Sequence, residues 1–521
     1  MSMPIASGRV NFELGTQTAF APAKATQGSP FCIAVLADFS GRDNRGLCQS
    51  GPLLATRRRY AVDIDSLDSL PGLMGCELRV PLGGNDAPRI VLQFRELDDF
   101  HPDRIFGRLD FFRKLETTRK LLQDPVTFGA AAAEVRSWLA GPQEREIEPS
   151  DAAAAESGRA PDESDAETIG RLLGNRPGPE PSSTQAGSLA DIESLLRDVV
   201  GPYIVPAPDP QQNELVAQVD QAIGGPMRAI LHDPDFQALE AAWRTLHLLV
   251  SRLETDETLK LYVIDVSKAE LAADLGSGDP LPATGIYKLL AEQSTGVPGA
   301  EPYAVLVGGY QFDQTAEDVA LLGQLARVAQ AAGAPWLAGA DSHFAGCASL
   351  AVTPDPDDWQ WQADPADVRL WQELRRSPEA VYVGLALPRF LLRLPYGSDT
   401  DPVDRFTFEE FAPLAGHEQY LWGNPATAFA CLLATAFREY GWNLTGGLGS
   451  DLSGLPMHTY TGDGEKQSTP CAETLLSERA MDVLIGKGLM PVLSIKGRDA
   501  VLLPRFQSIA EPLSPLAGPW R

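Results

Sequence analysis

Four charged residues lie close enough along the sequence to form a chemical site. Arg389 and Arg393 lie four residues apart in an apolar run, and Asp399 and Asp401 follow the turn-forming residues Pro-Tyr-Gly. Paired carboxylates can act as general acid and base, and arginines can bind an anionic substrate. The same residues could instead form ion pairs in an architectural contact. The pattern therefore leaves an acidic/arginine enzyme site around 389–401 and a structural role as alternatives.

Motifs of common catalytic and cofactor sites are absent from the sequence. Gly308 and Gly309 follow a strand-like run, but their spacing fits neither the P-loop nor the dinucleotide-binding pattern. No G-x-S-x-G or H-E-x-x-H motif occurs, and the six cysteines include no C-x-x-C pair. Asp341-Ser342-His343 is interpreted as a loop. We therefore predict no catalytic residue, no cofactor site and no metal site, and a protein that is not an enzyme.

Two arginine-containing segments near the start of the sequence are interpreted as structural. The segment 38–46 (DFSGRDNRG) follows a strand-like run and is interpreted as a tight turn rather than an anion site. The basic run 57–59 opens the alternating segment RRRYAVDI and is interpreted as a solvated strand end.

The composition is that of a globular protein with a strong acidic charge. The chain has 521 residues, of which 44% are hydrophobic and 22% charged, and its net charge is −27. This length predicts two or three domains. The negative charge argues against nucleic acid or an anionic membrane surface as a partner. The first residues lack the apolar core of a signal peptide, and no apolar stretch has transmembrane length, so a cytoplasmic protein without membrane insertion is predicted.

One segment divides the sequence. Aromatic residues are absent from 141–188, and within 141–170 nine Asp or Glu residues stand against two Arg. Such a segment buries too little apolar surface to offset its ordering entropy, so we predict a disordered acidic linker. It separates a predicted domain at 1–140 from a second one at 189–521.

The two predicted domains differ in their secondary-structure pattern. The first has strand-like runs followed by a helical run from about residue 98, which predicts a small α+β domain. In the second, a helix begins after the cap residue Asp233, and strands at 259–267, 303–310 and 336–341 alternate with helices. This alternation predicts a larger α/β domain with a mostly parallel sheet.

Long motifs in both domains resemble a known family. In the larger domain LHDPDFQALEAAWRTLHLLV, EPYAVLVGGYQFD, LPRFLLRLPYG, YLWGN and LPMHTYTGDGEKQ occur in this order. They resemble the large sheath subunit (TssC/VipB-like) of the bacterial type VI secretion contractile sheath, over about 210–507. In the first domain FCIAVLADFSGR and the DDF-x-P helix resemble the small sheath subunit (TssB/VipA-like) more weakly. The chain therefore resembles a small and a large subunit fused through the acidic linker.

The resemblance implies a non-enzymatic structural or assembly component of a bacterial type VI secretion system. Small and large subunits of the family pair one to one, so the two halves are expected to pair within the chain through a linker that spans roughly 40 Å. Other sheath, inner-tube or baseplate proteins are the implied partners. Large subunits of the family continue beyond the segment that resembles 490–504, whereas this sequence ends at Arg521. We therefore expect a divergent sheath protomer or a sheath-like accessory (a cap, baseplate adaptor or polymerisation regulator), and favour the accessory slightly.

A helix after the linker is a further candidate for interaction. Ile192, Leu195, Leu196 and Val199 form the apolar stripe of an amphipathic helix predicted at 189–200. The resemblance implies that a helix in a comparable place is recognised by the AAA+ ATPase that recycles contracted sheath. A plain docking helix is the alternative.

The resemblance also favours an architectural role for the four charged residues of 389–401. Strand alternation places Arg389 and Arg393 on one face of an extended segment. We expect these arginines to pair with carboxylates at a domain or subunit contact, with Asp399 and Asp401 as nearby candidates.

Overall fold

The computed structural model describes residues 29–81, 89–139, 211–295, 300–411, 416–444, 449–462 and 465–520. The chain divides into two compact units, one formed by Met1–Arg113 with Asp220–Arg521 and the other by Lys114–Val219. The first unit thus draws on both sides of the predicted linker. The linker at 141–188 and the predicted helix at 189–200 lie outside the described residues.

The residues described before the linker form strands and mostly short helices. They are β1 (Phe31–Ala37), α1 (Pro52–Ala55), β2 (Arg59–Val62), α2 (Leu70–Met74), β3 (Cys76–Pro81), β4 (Arg89–Phe94), α3 (Pro102–Arg108), α4 (Asp110–Gln123) and α5 (Phe128–Leu139). The helical run expected from about residue 98 is divided at Leu109, whose φ of −89° and ψ of 122° are extended.

The residues described after the linker alternate helices and strands before ending in several short strands. They are α6 (Gln212–Leu231), α7 (Pro234–Arg252), β5 (Leu259–Asp265), α8 (Lys268–Leu275), α9 (Gly285–Tyr287), α10 (Gln293–Thr295), β6 (Tyr303–Phe312), α11 (Ala316–Ala332), β7 (Trp336–Ala340), α12 (Pro365–Arg375), β8 (Val383–Leu387), β9 (Phe390–Leu391), β10 (Trp422–Gly423), α13 (Ala426–Tyr440), β11 (Asp451–Ser453), β12 (Thr459–Gly462), β13 (Glu465–Ser468), α14 (Glu478–Gly486), β14 (Met490–Pro491), β15 (Leu493–Ser494) and β16 (Ala500–Leu502).

Seven strands form the main sheet, in the order β14-β8-β7-β6-β1-β5-β2. Neighbouring strands pair in parallel, except that β2 is antiparallel to β5. The mostly parallel sheet and the α/β class predicted from the sequence are therefore confirmed. Smaller antiparallel pairs are formed by β3 with β4, β9 with β10, and β12 with β13, and β16 pairs with both β11 and β15.

Local capping chemistry fixes where several helices begin and end. The Asp233 side chain accepts a hydrogen bond from the backbone N–H of Phe236 at 3.1 Å and starts α7, as expected. Ser267 and Glu270 form a reciprocal capping box at the start of α8. Gly333 ends α11 with a φ of 69°, a left-handed conformation that suits glycine. These helices pack on the sheet, and Trp243 of α7 lies within the core.

Within the described parts of the chain, none of the helices combines the length and the apolar character needed to cross a bilayer.

Candidate functional site

An interior strand of the main sheet is supplied by the N-terminal part of the chain. β1 pairs with β5 on one side, from Phe31 opposite Leu259 to Ala37 opposite Asp265, and with β6 on the other. All seven residues of β1 are buried, as expected for an apolar strand with parallel neighbours on both sides. The contact between the two sequence halves is therefore a continuous sheet.

The loop after β1 binds a buried carboxylate at the end of β5. Asp265 Oδ1 accepts hydrogen bonds from the backbone N–H of Phe39 at 2.9 Å and of Ser40 at 3.1 Å, and Oδ2 accepts one from Ser40 Oγ at 2.7 Å. Burial raises the pKa of Asp265, and the hydrogen bond from Ser40 offsets part of this rise. Trp243 donates its Nε1–H to the Phe39 carbonyl at 2.9 Å. This loop is thus fixed to both β5 and α7.

A second buried carboxylate binds two arginines from the N-terminal half. Glu270 is fully buried, and its carboxylate accepts hydrogen bonds from Arg42 Nε at 3.0 Å and from Arg57 Nη2 at 3.0 Å. Burial by itself would raise the pKa of Glu270, but these hydrogen bonds lower it below its ordinary value. We call the contacts of Phe39, Ser40, Arg42 and Arg57 with Asp265 and Glu270 the seam.

The seam corrects one interpretation made from the sequence. The run 57–59 is not simply a solvated strand end, because the Arg57 side chain is 11% exposed and binds Glu270. The segment 38–46 contains turns, as predicted, but its Arg42 also binds Glu270.

A second charge cluster lies around Arg393. Arg393 Nε donates to Glu240 Oε1 at 2.8 Å, and Nη1 donates to Glu410 Oε2 at 2.7 Å. Arg244 also binds Glu240, at 2.6 Å, and donates to the Tyr396 hydroxyl at 3.0 Å. Burial would raise the pKa of Glu410, but Arg393 beside it lowers that pKa to about 2. We call these five residues the Arg393 cluster.

Arg389 forms a separate ion pair, while the two aspartates face solvent. Arg389 Nε lies 3.0 Å from Glu473 Oε1, and the Arg389 backbone N–H donates to Glu473 Oε2 at 2.8 Å. Asp399 and Asp401 are exposed in the turn that follows. The arginines bind glutamates from other parts of the chain. Among the described residues, the four charged groups of 389–401 therefore do not converge on one site.

The segment that follows Arg393 reaches the N-terminal half. The rings of Tyr396 and His101 lie 4.9 Å apart, and those of Phe406 and Phe106 lie 4.8 Å apart. The Asp103 carboxylate at the start of α3 accepts hydrogen bonds from the backbone N–H groups of residues 404 and 405, each at 3.1 Å. The LPRFLLRLPYG motif thus positions a loop against α3.

One group of side chains has the composition of a metal site. His343 Nδ1 lies 3.0 Å from Asp313 Oδ1 and 3.0 Å from Asp341 Oδ1. The Asp341 carboxylate also accepts a hydrogen bond from the His343 backbone N–H at 3.0 Å. The His343 ring is hydrogen-bonded to Asp313 and the His343 backbone N–H to Asp341, so these three residues form a hydrogen-bonded group.

Comparison with known proteins identifies the class. The family model described as EvpB/VC_A0108, tail sheath N-terminal domain, matches residues 213–510. A second family model, described as type VI secretion system, VipA, VC_A0107 or Hcp2, matches residues 5–138. The chain therefore belongs to the type VI secretion tail sheath family and carries its VipA-like and VipB-like parts in one polypeptide, as the resemblance predicted.

A curated relative is also similar to the second part of the chain. This relative, the type VI secretion system sheath protein TssC1 of Pseudomonas aeruginosa, is 38% identical over 304 residues. The match covers 57% of this chain and 61% of the relative. The chain thus spans about three fifths of the length of the curated relative that it matches.

Sequence analysis missed the glutamates that bind the arginines, although one of them left a signal. Glu240 lies four residues after Phe236 and three before Trp243, on the apolar stripe of α7, where a charged residue needs a buried partner. Glu270 occupies the capping-box position of α8, and a capping role gives no sign that the same carboxylate also binds Arg42 and Arg57. Glu240 lies far in the sequence from Arg393, and Glu270 lies far from Arg42 and Arg57, so no local sequence pattern indicates these pairs.

Proposed function

We propose that this chain is a non-enzymatic structural component of a type VI secretion sheath, in which one polypeptide supplies both subunit parts of a protomer. The observation that carries the proposal is the position of β1 between β5 and β6. A strand paired on both sides belongs to the core of the sheet, so the VipA-like part acts as an integral part of the VipB-like fold. A cytoplasmic location in a bacterium is part of the same proposal.

The fusion itself supports this role. Two parts in a single translation product have a fixed one-to-one ratio, and a tether raises the effective concentration of each part for the other to roughly millimolar. The seam provides matched charges between the two parts, since the arginines come from one part and Glu270 from the other.

The pairing can be tested by cutting the linker. A protease site is inserted within 141–188, the folded protein is cleaved, and the fragments are analysed by size-exclusion chromatography under native conditions. We expect both fragments to elute together, because each contributes strands to one sheet. Separation of the fragments without denaturant contradicts the proposal.

Electron microscopy distinguishes the two forms of the proposed role. Tubules assembled by the purified chain alone would identify a divergent sheath protomer. If it forms no tubules but changes the length of sheaths assembled from separate small and large subunits, it acts as a cap, baseplate adaptor or polymerisation regulator. If the chain forms no tubules and has no effect on such sheaths, that result counts against a sheath role.

Contacts with other sheath, inner-tube or baseplate proteins, and with the AAA+ ATPase that recycles contracted sheath, are part of the proposal. The ATPase contact is assigned to the apolar stripe of 189–200. Deletion of 189–200 should abolish co-purification of the ATPase while the fragments of the cleaved chain stay together. Unchanged ATPase binding would reassign the segment to plain docking.

A further inference from the structure

A groove beside α12 has a cationic rim. It has a volume of about 630 Å³ and is lined by residues of α12, of the loop 343–346 and of the segment that follows α14. It shares no residue with the seam or the Arg393 cluster. Arg369, Arg375 and Lys487 lie along it, and the described residues that line it include no Asp or Glu.

None of the three rim cations has a carboxylate oxygen within 4 Å among the described residues. Lys487 Nζ donates to the carbonyl of Ala345, and Arg375 Nε donates to the carbonyl of Ile509 at 2.8 Å. Arg369 is exposed on α12. This differs from the seam and the Arg393 cluster, where every arginine binds a carboxylate.

The directions of the pKa shifts also distinguish the rim cations from the arginines of the Arg393 cluster. Burial lowers the pKa of Lys487, and it lowers the pKa of Arg375 although Glu511 offsets part of the effect. Burial also acts on Arg393, but there Glu240 and Glu410 raise the pKa overall. The positive charge of the rim is therefore poorly compensated within the protein, and an anion in the groove would be attracted.

Aromatic side chains form the walls of the groove. The His343 ring stacks on Trp361 at a centroid distance of 4.1 Å, and Phe344 lies 4.8 Å from Trp371. The carboxylates of Asp313 and Asp341 contact His343 Nδ1 and do not line the groove. Aromatic and arginine side chains are the residues enriched where proteins bind other proteins.

We propose that this groove binds an acidic peptide segment of another protein. Carboxylates of that segment would face Arg369, Arg375 and Lys487, and its apolar side chains would contact Trp361 and Phe344. Charge complementarity is the argument, because these cations lie together in a chain whose net charge is −27.

The same overall charge favours a short acidic segment over nucleic acid. Screening limits the field of the rim to about 8 Å at physiological salt. A short peptide stays within that field, whereas a long polyanion also meets the acidic remainder of the surface. The proposal goes beyond the sheath role and can be tested without sheath assembly.

Isothermal titration calorimetry on the full chain tests the proposal. The titrant is an oligoglutamate peptide that ends in tryptophan, and the control titrant has glutamine at every glutamate position. We expect the acidic peptide to bind and the glutamine peptide not to bind. Arg369→Glu should weaken binding by about tenfold or more, because it reverses an exposed charge at the rim. Arg505→Glu, which changes an exposed arginine that does not line the groove, should leave binding unchanged.

Several results would overturn the proposal. They are absence of binding by the unmodified chain, equal binding of the glutamine peptide, or equal affinity of the Arg369→Glu and Arg505→Glu variants. Lys487→Gln provides a second variant, with retained folding checked by circular dichroism, and it should also weaken binding. Tighter, Arg369-dependent binding of a single-stranded oligonucleotide would assign the groove to nucleic acid. Tighter binding of a peptide of residues 141–170 would assign it to this chain's own acidic segment and reject another protein.

Discussion

The seam and the Arg393 cluster are built from the same chemistry but connect different parts of the chain. In each, a fully buried glutamate binds two arginines: Glu270 binds Arg42 and Arg57, and Glu240 binds Arg244 and Arg393. The arginines of Glu270 come from the VipA-like part, more than 200 residues away in sequence. Those of Glu240 come from the VipB-like part itself. One set joins the two parts, and the other fixes a loop within one of them.

Buried ion pairs at these two places have a common energetic consequence. A buried ion pair adds little net stability over apolar packing, but removing one partner leaves an uncompensated buried charge. Such a pair therefore penalises an arrangement in which the wrong segments meet. The seam penalises a misplaced VipA-like loop, and the Arg393 cluster penalises a misplaced loop after β9.

The largest effect is expected from breaking the strand that precedes the seam. Val35→Asp places a carboxylate at the centre of β1, where Val35 is 3% exposed and lies opposite Val263 and Val307. A carboxylate buried within this apolar strand is costly, so the folded sheet should be lost and the fragments of the linker-cleaved protein should separate. Val91→Asp is the matched control, since Val91 is 51% exposed on β4. Retained co-elution of Val35→Asp fragments would show that β1 is dispensable.

Removing the acid of the seam should have the next largest effect. Glu270→Gln leaves Arg42 and Arg57 facing a neutral group, and the free energy of unfolding should fall by about 3–5 kcal/mol. Urea denaturation of the full chain measures this loss. The triple change Glu270→Met, Arg42→Met and Arg57→Met should recover only part of it, because apolar groups then replace all three charges but the backbone N–H groups of Gln49 and Ser267 lose their acceptor. A loss below about 1 kcal/mol for Glu270→Gln would show that the ion pairs of the seam stabilise the fold no more than exposed ion pairs do.

The Arg393 cluster should contribute to the acid sensitivity of stability, as should Glu473, whose pKa is lowered to about 2 by hydrogen bonds from His417 and Arg389 against the effect of burial. The folded-state pKa of Glu410, about 2, lies below its ordinary value of 4.5. Its stabilisation is therefore complete above about pH 4.5 and is lost as the pH falls towards 2, on the order of 3 kcal/mol. Within the seam the two carboxylates respond in opposite directions. Asp265 has a raised pKa, so acidification acts on it in the stabilising direction, whereas Glu270 has a lowered pKa and responds in the same direction as Glu410.

Denaturation at a series of pH values measures how much Glu410 contributes to the pH dependence of stability. Glu410→Gln should lower stability at neutral pH and should reduce its further loss between about pH 4.5 and 2. Glu409→Gln, an exposed neighbour of the same charge, is the control and should follow the unmodified protein. If Glu410→Gln loses as much stability between about pH 4.5 and 2 as the unmodified protein, the Arg393 cluster is not a source of the acid sensitivity.

The elements of the fold were accessible from the sequence because their signals are local. The cap at Asp233, the capping box from Ser267 to Glu270 and the end of α11 at Gly333 each depend on neighbours within a few residues. The position of β1 inside the sheet of the VipB-like part was not accessible, since pairing with β5 joins residues more than 200 positions apart. Glu240 and Glu473 were missed for a similar reason, since they lie 153 and 84 positions from Arg393 and Arg389. Spacing in the sequence favoured Asp399 and Asp401, whereas the fold brings Glu240, Glu410 and Glu473 to these arginines.

The smallest effect is expected at the two aspartates that first suggested a chemical site. Asp399→Asn and Asp401→Asn change exposed side chains that make no described ion pair with Arg389 or Arg393. Each should alter the free energy of unfolding by less than about 0.5 kcal/mol, which urea denaturation can measure. Arg389→Met in the same segment should cost more, because it leaves the largely buried Glu473, whose side chain is 11% exposed, without its arginine. If an aspartate variant proves as costly as Arg389→Met, the turn after Pro395 carries a contact that the single chain does not form, such as one with a neighbouring protein.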